Sequence, residues 1–250
     1  MRGRFDILGP WDVPGFAPRL VRVYLPGHHD RNVARPLLVM FDGQNIFDDA
    51  ASFAGGWHLH QAIDRLGKQR PVPVVAAVDH GGTGRFAELS AWGLRGAGGR
   101  ADDFLGFVAH RLAPALRERY GTLAPPHGLA LGGSSLGGLA ALYGHYRYPE
   151  AVGGALAFSP SLWVGGGAPV RMMSETPRPW TSRIYLDSGE REPSGMGAQA
   201  RSLAEILRAK GYDAGSLSHR ADRHGRHDEA SWRRRALAAL RFMYRPNPLP

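Results

Sequence analysis

At 250 residues, with 43% hydrophobic and 21% charged content and no cysteine, the chain can bury a sizeable core but has no disulfide framework, thiolate metal site or cysteine nucleophile. Its formal charge of +9 comes almost wholly from arginines spread along the chain; no basic segment interleaves with aromatics as a base-stacking platform would, so no nucleic-acid partner is expected. No stretch is apolar over the length of a bilayer and residues 1–6 lack the apolar core of a secretion signal, so the expectation is one cytoplasmic domain, 1–250, with no membrane partner.

Strand-like and helix-like segments alternate, which is the pattern of an α/β fold: a mostly parallel sheet with helices on both faces. Residues 20–25 (LVRVYL) alternate apolar and polar, as an antiparallel strand near an edge does. Continuous apolar runs at 37–41 (LLVMF) and 73–78 (PVVAAV) predict buried central strands. A helix is predicted over 57–68, where Trp57, Leu59, Ala62, Ile63 and Leu66 recur at helical spacing, and the Gly-rich 81–99 reads as a long loop. A second helix, 102–119, carries Phe104, Leu105, Val108, Leu112 and Leu116, with a kink or fresh start expected at Pro114. Further strands are predicted at 128–132, 152–158 and 183–187, and a weak one at 216–220. The Gly- and Pro-rich 164–180 reads as a loop too short for a large lid, which leaves an open pocket. The last helix, about 229–244, is capped by Asp228, with Trp232, Ala236, Leu240 and Met243 on one face and Arg234, Arg235 and Arg241 on another. The run Arg233-Arg234-Arg235 is therefore read as an exposed face.

The chemistry starts from GGSSLGG at 132–138, which sets Ser135 in a Gly-x-Ser-x-Gly frame between an apolar run and a small-residue helix. A strand that turns abruptly into a helix strains the residue at the bend and lifts its side chain clear of the sheet, above the helix N-terminus. Gly133 and Gly137 let the two elements approach. A glycine-rich turn alone is ordinary in a chain with 34 glycines; the strand before and the helix after mark Ser135 as a nucleophile. A serine hydroxyl needs a base. Of 11 histidines, His28 and His29 fall in a loop, His58 and His60 flank a helix start, and His145 follows the nucleophile helix. His227 lies between the last weak strand and the C-terminal helix, which gives the order Ser…acid…His of an α/β-hydrolase; His224 is its competitor. No third ligand stands at metal spacing from these two, so neither a metal nor another cofactor is expected. The acid belongs after the strand at 183–187, where Asp187, Glu190 and Glu192 compete. Glu192, beyond the strand-ending Gly189, is preferred and Asp187 is second. The backbone N–H groups of Leu136 and of Gln44, in the turn Asp42-Gly43-Gln44, are the candidate oxyanion donors.

Together these segments resemble the putative-esterase family of α/β-hydrolases, which includes enterochelin esterases, feruloyl esterases, S-formylglutathione hydrolases and mycolyltransferases. The pieces that carry the resemblance are LLVMFDGQNIFDD at 37–49, RFAELSAW at 85–92, GGSSLGGLAALYGHYRYPE at 132–150, FSPSLW at 158–163, RIYLDSGERE at 183–192 and HDEASWRRR at 227–235. They stand in family order through most of the chain. The resemblance implies an α/β-hydrolase fold without a large lid domain, with Ser135 as nucleophile, His227 as base, and Gln44 and Leu136 as oxyanion donors. It puts the acid three residues after Gly189, on Glu192, where many members carry aspartate. It also brings Trp163 near the active site as a candidate substrate-binding wall; packing beneath the loop is the other reading of that residue. The function expected is a serine esterase cleaving a small-molecule or polymer-attached ester through an acyl-enzyme. An acyltransferase using the same acyl-enzyme, and a catalytically silent binding protein of the same fold, are the competing readings.

Overall fold

Five consecutive apolar residues, Leu37–Phe41, have no polar side to turn to water, so the strand they form has to be covered on both faces. In the computed structural model, which describes residues 3–27, 29–66, 70–94, 97–193 and 195–246, that is how the chain folds. His28 and the last two residues of the helix predicted over 57–68 lie outside the described residues. The elements in chain order are β1 (Arg4–Trp11), β2 (Arg19–Leu25), β3 (Leu37–Phe41), α1 (Leu59–Asp64), β4 (Val74–Val78), α2 (Arg85–Leu89) and a small hairpin of β5 (Gly93–Leu94) and β6 (Ala97–Gly98). They continue with α3 (Ala101–Phe107), α4 (Ala113–Tyr120), β7 (Leu129–Ser134), α5 (Leu136–Arg147), β8 (Gly154–Phe158), α6 (Val164–Glu175), β9 (Arg183–Gly189), α7 (Met196–Ala209), β10 (Leu217–Asp222) and α8 (Glu229–Met243). No helix among the described residues is long and apolar enough to cross a membrane.

Among the described residues eight strands form one sheet in the order β1-β2-β4-β3-β7-β8-β9-β10. β1, β2 and β4 pair antiparallel, and from β4 onward every pair is parallel. The period of two along each strand divides the core. Leu37, Val39 and Phe41 of β3 face one side, with Leu131, Leu105, Leu112, Leu142 and Leu203. Leu38 and Met40 face the other, with Ile63, Phe158, Trp232, Leu240 and Met243. In a parallel sheet all carboxyl ends share one edge, and it is there that the loops after β3, β7, β8 and β9 converge.

The structure corrects several expectations. β1 has no predicted counterpart: its side chains are mostly exposed and it pairs only with β2 at the edge, so neither a hydrophobic run nor a clean alternation marks it. Residues 164–180 are not a loop but largely helix α6; Gly165, Gly166 and Gly167 sit at positive φ in its first turn, and their number hides the helical periodicity that follows. The segment 81–99 likewise contains α2 and the β5–β6 hairpin. Around Pro114 the chain makes one wide helical turn, Val108–Leu112, and starts α4 afresh with the proline in its first turn, where the missing N–H is harmless.

His145 does not follow the nucleophile helix but lies within it, fully buried. The Val152 carbonyl can only accept, so Nδ1 donates to it at 3.0 Å and Nε2 accepts from Ser182 Oγ at 2.6 Å, which fixes a neutral tautomer. Burial pushes the imidazole pKa down to about 4, against the pull of the Val152 hydrogen bond. Between the ordinary histidine pKa and about 4 the unfolded chain therefore binds a proton that the native state refuses, so stability falls as pH drops through that window. Chemical denaturation from pH 7 to pH 4 is expected to show about 3 kcal/mol lost through this group. His145→Gln should flatten that part of the curve, and parallel curves for the two proteins would contradict the assignment.

Candidate active site

β7 and α5 meet with no residue to spare, and Ser135 takes the bend at φ 55, ψ −119, a backbone conformation that L-residues avoid. The bend is possible because its neighbours lack side chains. A Cβ on Gly133 would come within 2.8 Å of the Gly137 carbonyl carbon, and one on Gly137 within 3.1 Å of Asp42 Oδ2. Ser135 N donates to Phe158 O at 2.9 Å, and its Oγ meets Ser161 Oγ at 3.1 Å. Leu136 is the first residue of α5, so its N–H has no acceptor within the helix.

The loop after β3 is drawn to the same point. Asp42 takes the left-handed conformation at φ 57, and Gly43–Asn45 form one tight helical turn. Gly43 has to be glycine, since a Cβ would lie 2.6 Å from the Ala77 and Val78 backbone. Arg85 of α2 clamps the buried Asp42 carboxylate with Nε at 2.5 Å and Nη2 at 2.7 Å. Gln44 accepts from His80 N through its side chain at 3.3 Å, and its own N–H lies in the first turn.

Beyond Gly189 the chain turns back across β10. Glu190 N donates to Asp222 O at 2.9 Å and Arg191 N to Gly225 O at 3.0 Å. The Glu192 side chain is thereby buried, only 1% exposed, with Oε2 at 3.9 Å from His227 Nδ1. Neither of these two buried atoms has a hydrogen-bond partner among the described residues. The His227 ring stands edge-on to Trp232, with centroids 5.0 Å apart. Asp187 is turned elsewhere. It is fully buried within β9, where it accepts from Ser159 N at 3.1 Å and Tyr185 Oη at 2.9 Å and forms an ion pair with Arg235, whose Nε lies 2.9 Å away. Burial raises its carboxyl pKa to about 6, with Arg235 opposing. Glu190 and His224 are exposed. Among the described residues no group of three His, Asp or Glu is placed to hold a metal ion.

The family model described as putative esterase matches residues 17–243 of this chain. The chain belongs to that family. It is a carboxylic-ester hydrolase, and its fold is that of the α/β-hydrolases. This esterase is 31% identical over 229 residues to the iron(III) salmochelin esterase of Escherichia coli O6:H1; the match covers 86% of the chain and only 52% of that relative. Among solved structures it is similar to the enterobactin esterase of Shigella flexneri, with a TM-score of 0.76 at 24% identity, over 97% of this chain and 58% of that one. A ferulic acid esterase superposes over its entire length and 99% of this chain, with a TM-score of 0.74 at 16% identity.

One sequence expectation fails inside the esterase's site. Arg235 is not on an exposed face: it is 7% exposed and lies between Asp187 and Glu192. Its spacing carried the signal, because position 235 is three beyond the inward Trp232 and one before the inward Ala236, but the residue type argued for solvent. Sequence reasoning also passed over Ser159, Ser161, the Arg85–Asp42 clamp and Glu229, a largely buried carboxylate 3.5 Å from Asn45 Nδ2. Trp163 stands at the start of α6 and is 44% exposed, so it is not packed beneath the loop. The elbow itself is open to test. Gly133→Ala adds a methyl against backbone rather than against a yielding side chain, and should lower stability by about 1–3 kcal/mol in denaturant unfolding. A variant of unchanged stability and activity would contradict the packing described for this junction.

Proposed function

We propose that this esterase works through an acyl-enzyme, with Ser135 as nucleophile, His227 as general base and Glu192 as the acid that orients the imidazole. The observation that carries this reading is the approach of Glu192 Oε2 to His227 Nδ1, two buried atoms with no hydrogen-bond partner among the described residues, at the edge where the Ser135 elbow emerges. A shift of about 1 Å brings the pair to hydrogen-bond length. Glu192 then accepts the Nδ1 proton and leaves Nε2 as the base. Ser135 Oγ turns from Ser161, gives its proton to Nε2 and attacks the ester carbonyl carbon. The N–H groups of Gln44 and Leu136 stabilise the oxyanion, each free because it opens a helical turn. The imidazolium returns its proton to the leaving alkoxide, and water then repeats the sequence on the acyl-enzyme.

The substrates named for the relatives, salmochelin and enterobactin in two of them and ferulic acid in a third, make esters of aromatic acids and catechol siderophores the first class to assay. Trp163 is proposed as an aromatic wall for such a group. Ser135→Ala should reduce hydrolysis of a p-nitrophenyl or feruloyl ester to background. Glu192→Gln should lower kcat by about 10²–10⁴-fold by offering the wrong tautomer partner. Asp187→Asn should act mainly on stability, costing about 3–5 kcal/mol by leaving Arg235 buried without its carboxylate. Turnover surviving Ser135→Ala, or a larger kcat loss in Asp187→Asn than in Glu192→Gln, would overturn these roles.

A further inference from the structure

We propose that Ser159 is a positioning residue whose hydroxyl aims Glu192 at His227; this rests on the assignment of Ser135, His227 and Glu192 given above. Ser159 is the first residue after β8 and is buried, at φ 45, a conformation that favours glycine. Its Oγ has three neighbours. Trp232 Nε1 lies at 3.0 Å, Arg235 Nη2 at 2.9 Å, and Glu192 Oε1 completes the set. An indole N–H and a guanidinium N–H can only donate, so together they occupy both lone pairs of the hydroxyl. The single hydroxyl proton is left with one destination, Glu192 Oε1.

This fixes more than a hydrogen bond. With Oε1 held by Ser159, the carboxylate can present only Oε2 to His227 Nδ1. Arg235 is the competitor. Its Nη2 stands 3.7 Å from Glu192 Oε1, close enough to capture the carboxylate if nothing intervened. The Ser159 hydroxyl does intervene, accepting from the guanidinium on one side and donating to the carboxylate on the other. Asp187 steadies both partners, holding Arg235 through Nε and Ser159 through its backbone N–H. The charged groups around the pair are thus His227, Arg235 and Asp187, with Asp222 3.7 Å from Arg235 Nη1. The route runs from Asp187 through Arg235 and Ser159 to Glu192 and so to the imidazole.

The test compares Ser159→Gly, Ser159→Ala, Glu192→Gln and Ser159→Gly/Glu192→Gln in the full chain, by kcat and KM on one activated ester. Alanine removes only the hydroxyl, at the φ the serine already adopts; glycine removes the whole side chain and relieves the positive φ. Both single variants should keep KM and lose about 10²-fold in kcat, the scale expected when a catalytic group is misplaced by about 1 Å. The double variant should be no slower than Glu192→Gln alone, because Ser159 acts only through Glu192. Wild-type kcat in the Ser159 variants, or losses that multiply in the double variant, would overturn the proposal. Full activity of Glu192→Gln would instead remove the triad assignment on which it rests.

Discussion

The closeness of β7 to α5 is the constraint on which the site depends. Bringing a strand into a helix with one residue between them demands a strained residue at the bend and bare backbone on either side, met here by Ser135, Gly133 and Gly137. The same proximity lets the loop after β3 reach the helix, since the Gly137 position leaves room for Asp42 beside it. The strain is held by the surroundings: Ser135 N bonds to Phe158 O at the end of β8, and Ser135 O accepts from Ser161 N in the loop that follows. A more relaxed junction would bury the hydroxyl among the strands.

The second organising feature is charge in the interior. Asp187, Glu192 and Arg235 have almost no solvent contact, and buried ions persist only when their hydrogen-bonding capacity is met by partners. Asp187 accepts from Ser159 N and Tyr185 Oη and is ion-paired with Arg235. Glu192 Oε1 has Ser159, while Glu192 Oε2 is left facing His227. Such clusters are poor sources of net stability, because desolvation offsets much of the attraction. What this one supplies is a fixed geometry: Ser159 holds Glu192 Oε1 and leaves Oε2 facing His227.

Much of this was legible in the amino-acid sequence, for physical reasons. Buried parallel strands must be apolar throughout, so 37–41 and 73–78 announced themselves, and a strand–Gly-x-Ser-x-Gly–helix run has few other uses. Gly189 ending β9 correctly separated Glu192 from Asp187, which remains paired in the sheet between β8 and β10. The readings that failed share a cause, in that composition was weighed above position. Glycines concealed α6, exposure on an edge concealed β1, and arginine's usual preference for water concealed a buried guanidinium. Ser159 lies in FSPSLW, one of the pieces that carry the resemblance, but nothing in that run points to its role. Its importance comes from what surrounds it in space, from β9 and α8, none of it close in the chain.

The central claim is that Ser135 is activated by a histidine that Glu192 orients. The most direct measurement is the reaction of the native protein with a fluorophosphonate, with the modified peptide identified by mass and the rate compared with that of Glu192→Gln. The account predicts a single adduct on Ser135, formed far more slowly in the variant. An adduct elsewhere, or none in a protein that turns over esters, would contradict it.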